Sequence, residues 1–277
     1  MKTIVVTGAN GYIGRHVVDA FVEKGARVVA LDLNEGPEKA GVAWVTGNIL
    51  DPNFDSSVLE AYEPDACLHL AWRNGFNHNA ETHMLDLSSH YRFLCKMVEF
   101  GIKQIAVMGT MHEVGYWEGP ISEDTPCNPM SFYGIAKDSL RRAFFARVKS
   151  ENITAQWLRA YYIYGDDIAS QSIFGKILRA DAAGQETFPF TSGKNKYDFI
   201  KVDELAQQIS SCLLQDSVRG VINCCTGSPL SLGEAVEGFI EENGLSIKLG
   251  YGEYPDRPYD SPGVWGDASK INQIMGA

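Results

Sequence analysis

The chain has 277 residues, enough for one large α/β unit or two small domains. Its formal charge of −11 at pH 7 argues against a nucleic-acid or anionic-membrane partner, and no apolar run approaches the roughly 20 residues needed to cross a bilayer. The six cysteines (Cys67, Cys95, Cys127, Cys212, Cys224, Cys225) show neither metal-ligand spacing nor the density of a disulfide scaffold, so no metal is expected and a reduced, cytoplasmic setting is the default. Met1 runs straight into the first apolar segment, which leaves no room for a signal peptide.

Ile4, Val5 and Val6 predict a short buried strand. Thr7-Gly8-Ala9-Asn10-Gly11-Tyr12-Ile13-Gly14 follows, and Ile13, Val17, Val18, Phe21 and Val22 then recur at helical spacing until Gly25. Strand, glycine turn and helix together turn backbone N–H groups and a helix N-terminus toward a pyrophosphate. Gly8 permits the turn, Gly11 lets the phosphates approach the backbone, and Gly14 lets the helix lie close on the strand. A second apolar strand, Arg27-Val28-Val29-Ala30-Leu31, ends at Asp32, about 20 residues on, where a dinucleotide site needs a ribose acceptor. That carboxylate would repel a 2′-phosphate, and positions 33–35 hold no Arg or Lys. NAD(H) is therefore favoured, with NADP(H) left open through Arg15 or Lys39.

Further along, Val42 to Val45 reads as a strand, Val58 to Tyr62 as a short helix stopped by Pro64, and Ala66 to Ala71 as a strand. A long helix is expected from Asp86 to Phe100, a strand from Gln104 to Met108, a helix from Tyr133 to Lys149 and a strand from Ala155 to Ala160. Strands regularly interrupted by helices make a parallel sheet with helices on both faces. Beyond Gly165 the alternation breaks into Gly-, Asp- and Pro-rich loops around Ile173 to Ala182, Leu205 to Leu214 and Leu232 to Asn243, with one further strand, Gly220 to Cys224. The expected division is a dinucleotide-binding domain over 1–165. Residues 166–277 then form a smaller substrate-binding cap, interleaved with segments that return to the sheet.

Tyr133-Gly134-Ile135-Ala136-Lys137 places Tyr133 and Lys137 one helical turn apart on one face. A free tyrosine has a pKa near ~10, and an adjacent ammonium favours the phenolate and draws that value toward neutrality. Taken alone, the spacing is also that of any helix whose Tyr and Lys share a surface. The strand end Val107-Met108-Gly109-Thr110 supplies a hydroxyl at the same edge of the sheet.

In order along nearly the whole chain, these segments resemble the motifs of the extended short-chain dehydrogenases/reductases, a group of nucleotide-sugar epimerases, dehydratases and reductases. Thr7 to Gly14 looks like their TGxxGxxG loop, His69-Leu70-Ala71 like HLAA, and Tyr133 with Lys137 like YxxxK. Leu158-Arg159 through Tyr164-Gly165 is similar to LRxxNVYG, Asp198 to Ala206 to RDFIHVDDLA, and Asn223 to Leu232 to NIGTGxxxSL. The resemblance implies a Rossmann fold, a doubly wound parallel α/β sheet with a C-terminal cap. It implies Thr110, Tyr133 and Lys137 as a catalytic trio: Tyr133 exchanges the proton, Thr110 holds the reacting oxygen, and Lys137 binds the nicotinamide ribose. It also implies a cofactor site drawn from Gly8, Asn10, Gly11, Tyr12, Ile13, Gly14, Asp32, Leu33, Asn48, Ile49, Leu70, Ala71 and Trp72, together with Tyr133 and Lys137.

The departures narrow the reaction. Family dehydratases place Asp-Glu after the active-site Thr as an additional acid and base. Here Met111-His112 follow Thr110, with Glu113 one residue out of step, which argues against a dehydratase. Tyr162 replaces the Asn of LRxxNVYG, Asp86 the Asn usual in the long helix, and Tyr197 the Arg of RDFI. His112 is read as a substrate contact, an auxiliary acid or an unengaged loop histidine. Arg257, with Arg179 and Lys176 as second choices, is a candidate for the substrate pyrophosphate. Trp72, Phe76 and Tyr116-Trp117 stack on a base or sugar, or fill the core. The expected reaction is reduction of an NDP-4-dehydro-6-deoxyhexose, with a 4-epimerase retaining NAD as the alternative and a non-catalytic dinucleotide sensor as the lesser one. By the same resemblance, the helices starting near Asp86 and Tyr133 would pair in a homodimer.

Overall fold

The computed structural model describes residues 1–165, 168, 170–256 and 260–276. Seven parallel strands form the centre: β1 (Thr3–Thr7), β2 (Arg27–Asp32), β3 (Val42–Thr46), β4 (Ala66–His69), β5 (Gln104–Thr110), β6 (Thr154–Ala160) and β7 (Gly220–Cys224), in the order β7-β6-β5-β4-β1-β2-β3. This is a Rossmann-type sheet. The chain order reverses between β1 and β4, and open sheets of this kind bind ligands beyond the strand ends at such a switch point. The register fixes what meets there, because Thr7 pairs with both Leu31 and His69, and Thr110 with Ala160.

Every residue of β1 and of β5 is buried, so these strands read as continuous apolar runs and not as alternations. Along β1, Ile4 and Val6 enter the core on one side of the sheet and Val5 the core on the other, where Leu31, Leu94 and Trp157 also lie. The first side is covered by α1 (Tyr12–Glu23) through Val17, Val18 and Phe21. The second is covered by α3 (Leu87–Glu99), which follows the short α2 (Thr82–Leu85), and by α4 (Phe132–Val148). Each fully buried side chain such as Phe21 or Leu94 contributes about 1.5–3 kcal/mol. The Ser131 hydroxyl caps α4 by accepting the Gly134 N–H at 3.2 Å, which fixes where Tyr133 leaves the helix.

Two expected elements differ in detail. β4 ends at His69, because Leu70 and Ala71 turn to the glycine loop, donating to the Thr7 carbonyl at 3.2 Å and the Thr7 hydroxyl at 3.1 Å. The segment around Val58 is a 3-10 turn, Ser56–Tyr62, started by the Asp55 carboxylate.

The later chain supplies α5 (Ile173–Ala182), α6 (Val202–Leu214), α7 (Leu232–Glu242) and α8 (Ser269–Met275), while β7 returns to the edge of the main sheet. Small sheets join the rest. Gly119–Ile121, Gly263–Gly266, Lys196–Tyr197 and Leu230–Ser231 form one, Tyr162–Tyr164 pairs with Phe199–Lys201, and Thr187–Phe190 pairs with Lys248–Tyr251. Strands of two to four residues carry too little periodicity to be read in advance. The buried Asp198 ties them together, accepting from Thr226 N at 2.8 Å, the Thr226 hydroxyl at 2.7 Å, Gly227 N at 3.0 Å and Gly266 N at 3.1 Å. Among the described residues no helix is long and apolar enough to cross a membrane.

Candidate active site

A cleft of about 1500 Å³ opens over the strand ends and reaches from Asp32 to α5. At one end lies the glycine turn. Gly8 has φ +68°, and a Cβ there would stand 2.8 Å from the Ala71 backbone; a Cβ on Gly14 would stand 2.0 Å from the Gly8 carbonyl oxygen. Gly11 caps α1 without any side-chain hydrogen bond, so the helix N-terminus faces the cleft through bare backbone. The Asp32 carboxylate accepts the Asn10 N–H at 2.9 Å and the Leu33 N–H at 2.7 Å, and the remaining lone pairs suit ribose hydroxyls. The residues present fit a dinucleotide: an anion-facing helix end, a cradle with no room for side chains, and a diol acceptor at the second strand end.

At the other end stand the proton-handling groups. Thr110 closes β5, while Tyr133 and Lys137 project from the first turns of α4, and the Thr110 side chain is near enough to the Tyr133 phenol to favour its ionised form. Lys137 Nζ donates to the Met108 carbonyl at 2.7 Å and lies 3.9 Å from the centre of the Trp72 ring. Burial lowers the Lys137 pKa to about 7, opposed by the Glu113 carboxylate.

The net shift of Tyr133 runs opposite to the one expected from Lys137. Burial pushes the phenol above its ordinary range, the Thr110 side chain draws it partly back, and the Glu113 charge pushes the same way as burial. The Lys137 nitrogen lies 6.0 Å from the phenol ring centre and is itself depressed by burial, so it does not offset the desolvation. Tyr133 is thereby kept as a phenol, the form that donates a proton.

Glu113 has a different task from the acid of a dehydratase. It is wholly buried behind Thr110, does not line the cleft, and accepts the Thr110 N–H at 2.7 Å and the Trp157 indole N–H at 2.8 Å. Arg159 lies 3.4 Å away and Arg141 3.7 Å, which neutralises the charge. Thr110 and Glu113 form a reciprocal capping box, so this residue fixes the backbone under the Thr110 hydroxyl. Asp86, where the resemblance expects Asn, is gripped by both Arg73 nitrogens at 2.5 and 2.8 Å.

Histidines crowd the reaction end. The His78 ring stacks on Tyr133 with centroids 5.1 Å apart, meets the His112 ring edge-on at 4.3 Å, and His83 lies 5.2 Å from Tyr133. Burial holds His112 down to about 4, with His78 adding to the penalty, and burial holds His78 below its usual value, with His83 adding to it against a Gly75 backbone hydrogen bond, so both imidazoles are neutral at pH 7. His78 and His83 were missed by sequence reasoning, since they sit between periodic elements with no motif around them.

Apart from Arg179, Arg257 and the Tyr116-Trp117 pair, the residues expected at the site line this one cleft, His112 and Tyr162 included. Arg179 is turned away, donating to the Ser170 carbonyl at 2.8 Å and to that of Ile168, and so braces the loop before α5. Arg257 lies outside the described residues. Lys176 does line the cleft, and among the described residues it has no ion-pair partner. Tyr162 and Tyr197 face each other with ring centroids 4.3 Å apart.

The profile of the NAD dependent epimerase/dehydratase family matches residues 4–225. The chain belongs to that family. As such it is an NAD-dependent enzyme of the extended short-chain dehydrogenase/reductase type. It is 47% identical over 268 residues, 95% of this chain and 98% of the relative, to dTDP-6-deoxy-L-talose 4-dehydrogenase (NAD(+)) of Aggregatibacter actinomycetemcomitans. A UDP-glucose 4-epimerase of Lactobacillus helveticus is 26% identical over 310 residues, covering 100% of this chain and 91% of the relative. Among solved structures, the UDP-glucose-4-epimerase from Stenotrophomonas maltophila with bound NAD and formylated UDP-arabinopyranose superposes with a TM-score of 0.86 at 18% identity, over 100% of this chain and 93% of that one. That last likeness establishes the fold.

Proposed function

We propose that this family member is a cytoplasmic oxidoreductase acting at C4 of a dTDP-6-deoxyhexose, reducing the 4-keto sugar in one direction and oxidising the 4-hydroxyl in the other. The observation that carries the reading is the Thr110–Tyr133 hydroxyl pair at the strand end of the cleft, in a chain 47% identical to a dTDP-6-deoxy-L-talose 4-dehydrogenase. NAD(H) supplies or receives the hydride when bound. The Gly8–Gly14 turn would hold its pyrophosphate, Asp32 its adenosine ribose and Lys137 its nicotinamide ribose. Thr110 orients the C4 oxygen, and Tyr133 donates a proton to it as the carbonyl becomes an alcohol. Lys137, when protonated, steadies the phenolate that remains. His112 and His78 face the sugar as neutral donors and acceptors, Lys176 faces the pyrophosphate, and residues 166–277 serve as the cap.

Stoichiometric consumption of NADH with a dTDP-4-keto-6-deoxyhexose is the expected result. Retained NAD with conversion of a 4-hydroxy sugar and no net redox change would make the protein an epimerase, and dinucleotide binding with neither activity would make it a sensor. We also propose a homodimer through α3 and α4, helices on which Tyr91 and Phe132 are exposed at 36% and 42%. Light scattering that returns a monomer would overturn it.

A further inference from the structure

Trp72 follows the strand-end residues that meet the glycine turn, and it is held along its edge and across its face. Its indole N–H donates to His83 Nδ1 at 3.0 Å, and His83 Nε2 in turn donates to the Asn77 carbonyl at 2.9 Å. One neutral tautomer of His83 satisfies both bonds, so the edge of the indole is fixed without a charge. Across its face, His90 stacks at 4.3 Å and 12°. His90 is itself fixed, since its Nδ1 lies 3.0 Å from His69 Nε2, and His69 Nδ1 lies 2.8 Å from the Thr7 hydroxyl.

The Lys137 nitrogen sits 3.9 Å from the centre of this ring, well inside the ~6 Å reach of a cation–π contact. Its hydrogen-bond acceptor in the protein is the Met108 carbonyl, although an ammonium has three donors. The other groups facing it are Glu113 from beyond β5, His69 and His90 from β4 and α3, and Tyr133 from its own helix. Glu113 is engaged by Trp157 and Arg159, and both histidines stay neutral through burial. Beside the Met108 carbonyl and the more distant Tyr133 ring, the Trp72 π face is the stabiliser of positive charge in contact with the lysine among the described residues.

We propose that Trp72 is a positioning residue for the reaction: its clamped indole face holds the Lys137 ammonium in place beside Tyr133 and favours its charged form. The claim rests on the reading of Lys137 as part of the active site, and its central test does not depend on turnover. The Lys137 titration is followed by NMR in full-length protein carrying 13Cε-lysine, with the resonance assigned by its loss in Lys137→Met. The midpoint should fall in the order Trp, Phe, Leu at position 72, with Trp72→Leu lower than wild type by about one unit, or ~1.4 kcal/mol. His83→Ala, which frees the indole edge and leaves the ring, should give a fraction of that shift. Should Trp72→Leu fail to fold, Trp72→Phe and His83→Ala still read the order.

The alkaline limb of kcat/KM with the 4-keto sugar should move down by the same amount, because the required ammonium is lost at lower pH. A space-filling role alone would lower stability and activity at every pH and leave the lysine midpoint unmoved. That result overturns the proposal. Turnover in the wild type with an unmoved midpoint sinks this inference alone, and a shifted midpoint without turnover of any keto sugar sinks the functional reading alone.

Discussion

At the glycine-turn end of the cleft the lining begins with backbone amides and one carboxylate between Thr7 and Asp32, joined by Leu33, Asn48, Ile49, Leu70 and Ala71. At the other end, Thr110, Tyr133, Lys137, Trp72 and the histidines come from β5 and the turn after it, α4, and the stretch from β4 through α3. The first end works by leaving space: its key residues are those where a Cβ would collide with the turn itself. The second works by filling space with aromatic rings until two ionisable groups are stripped of water. An added atom should therefore damage one end, and a removed polar atom the other.

The largest effect expected is at the reaction end. Tyr133→Phe deletes the hydroxyl of the proposed proton donor, so kcat should fall by roughly 10²–10⁴-fold while NADH titrates as in wild type. Equal turnover would remove Tyr133 from the chemistry, and lost NADH binding would show that the two ends are not separable. The converse probe is Gly14→Ala. Its methyl would stand 2.0 Å from the Gly8 carbonyl oxygen, so α1 must shift. Dinucleotide affinity should drop about tenfold or more, with ~1–3 kcal/mol lost from folding as measured by urea titration. An unchanged affinity would mean that the turn does not carry the pyrophosphate.

The smallest effect concerns acid. Burial lowers the His90 pKa from 6.5 to about 3, so between those values the unfolded chain binds a proton that the folded chain does not. The stabilisation from keeping this group neutral is complete above about pH 6.5 and is lost as pH falls toward about 3. Wild-type Tm should decline over that window, and His90→Leu should decline less steeply. Parallel curves would show that the acid sensitivity arises away from the reaction end.

How much was legible in advance follows the same division. The glycine turn, Asp32, and the Tyr133–Lys137 pair were readable because each depends on spacing along a few residues: a strand, a turn, one helical step. The strand–helix alternation was readable because parallel strands buried on both faces are written as apolar runs, and β1 and β5 are buried throughout. The small sheets after residue 165 were not, since strands such as Lys196–Tyr197 acquire their partners from 33 or more residues away, at Leu230–Ser231 and Gly263–Gly266.

The charged residues show the limit most clearly. Arg179 and Lys176 lie three positions apart on α5, and sequence alone treated both as pyrophosphate candidates. The fold turns Arg179 to loop carbonyls and leaves Lys176 in the cleft. Glu113 was placed out of step by counting, and the structure gives the reason: it is buried under Thr110 against Trp157 and Arg159.

By itself the sequence determined the sheet and the glycine turn, and brought forward Thr110, Tyr133 and Lys137 as the proposed proton-handling trio, because those depend on short-range geometry that a linear pattern records. Only the tertiary structure decided that Tyr133 is held as an acid, that Lys137 rests on Trp72, and that neutral histidines wall the site. Those properties arise from desolvation and ring contacts among segments distant in the chain, and no spacing along the chain encodes them.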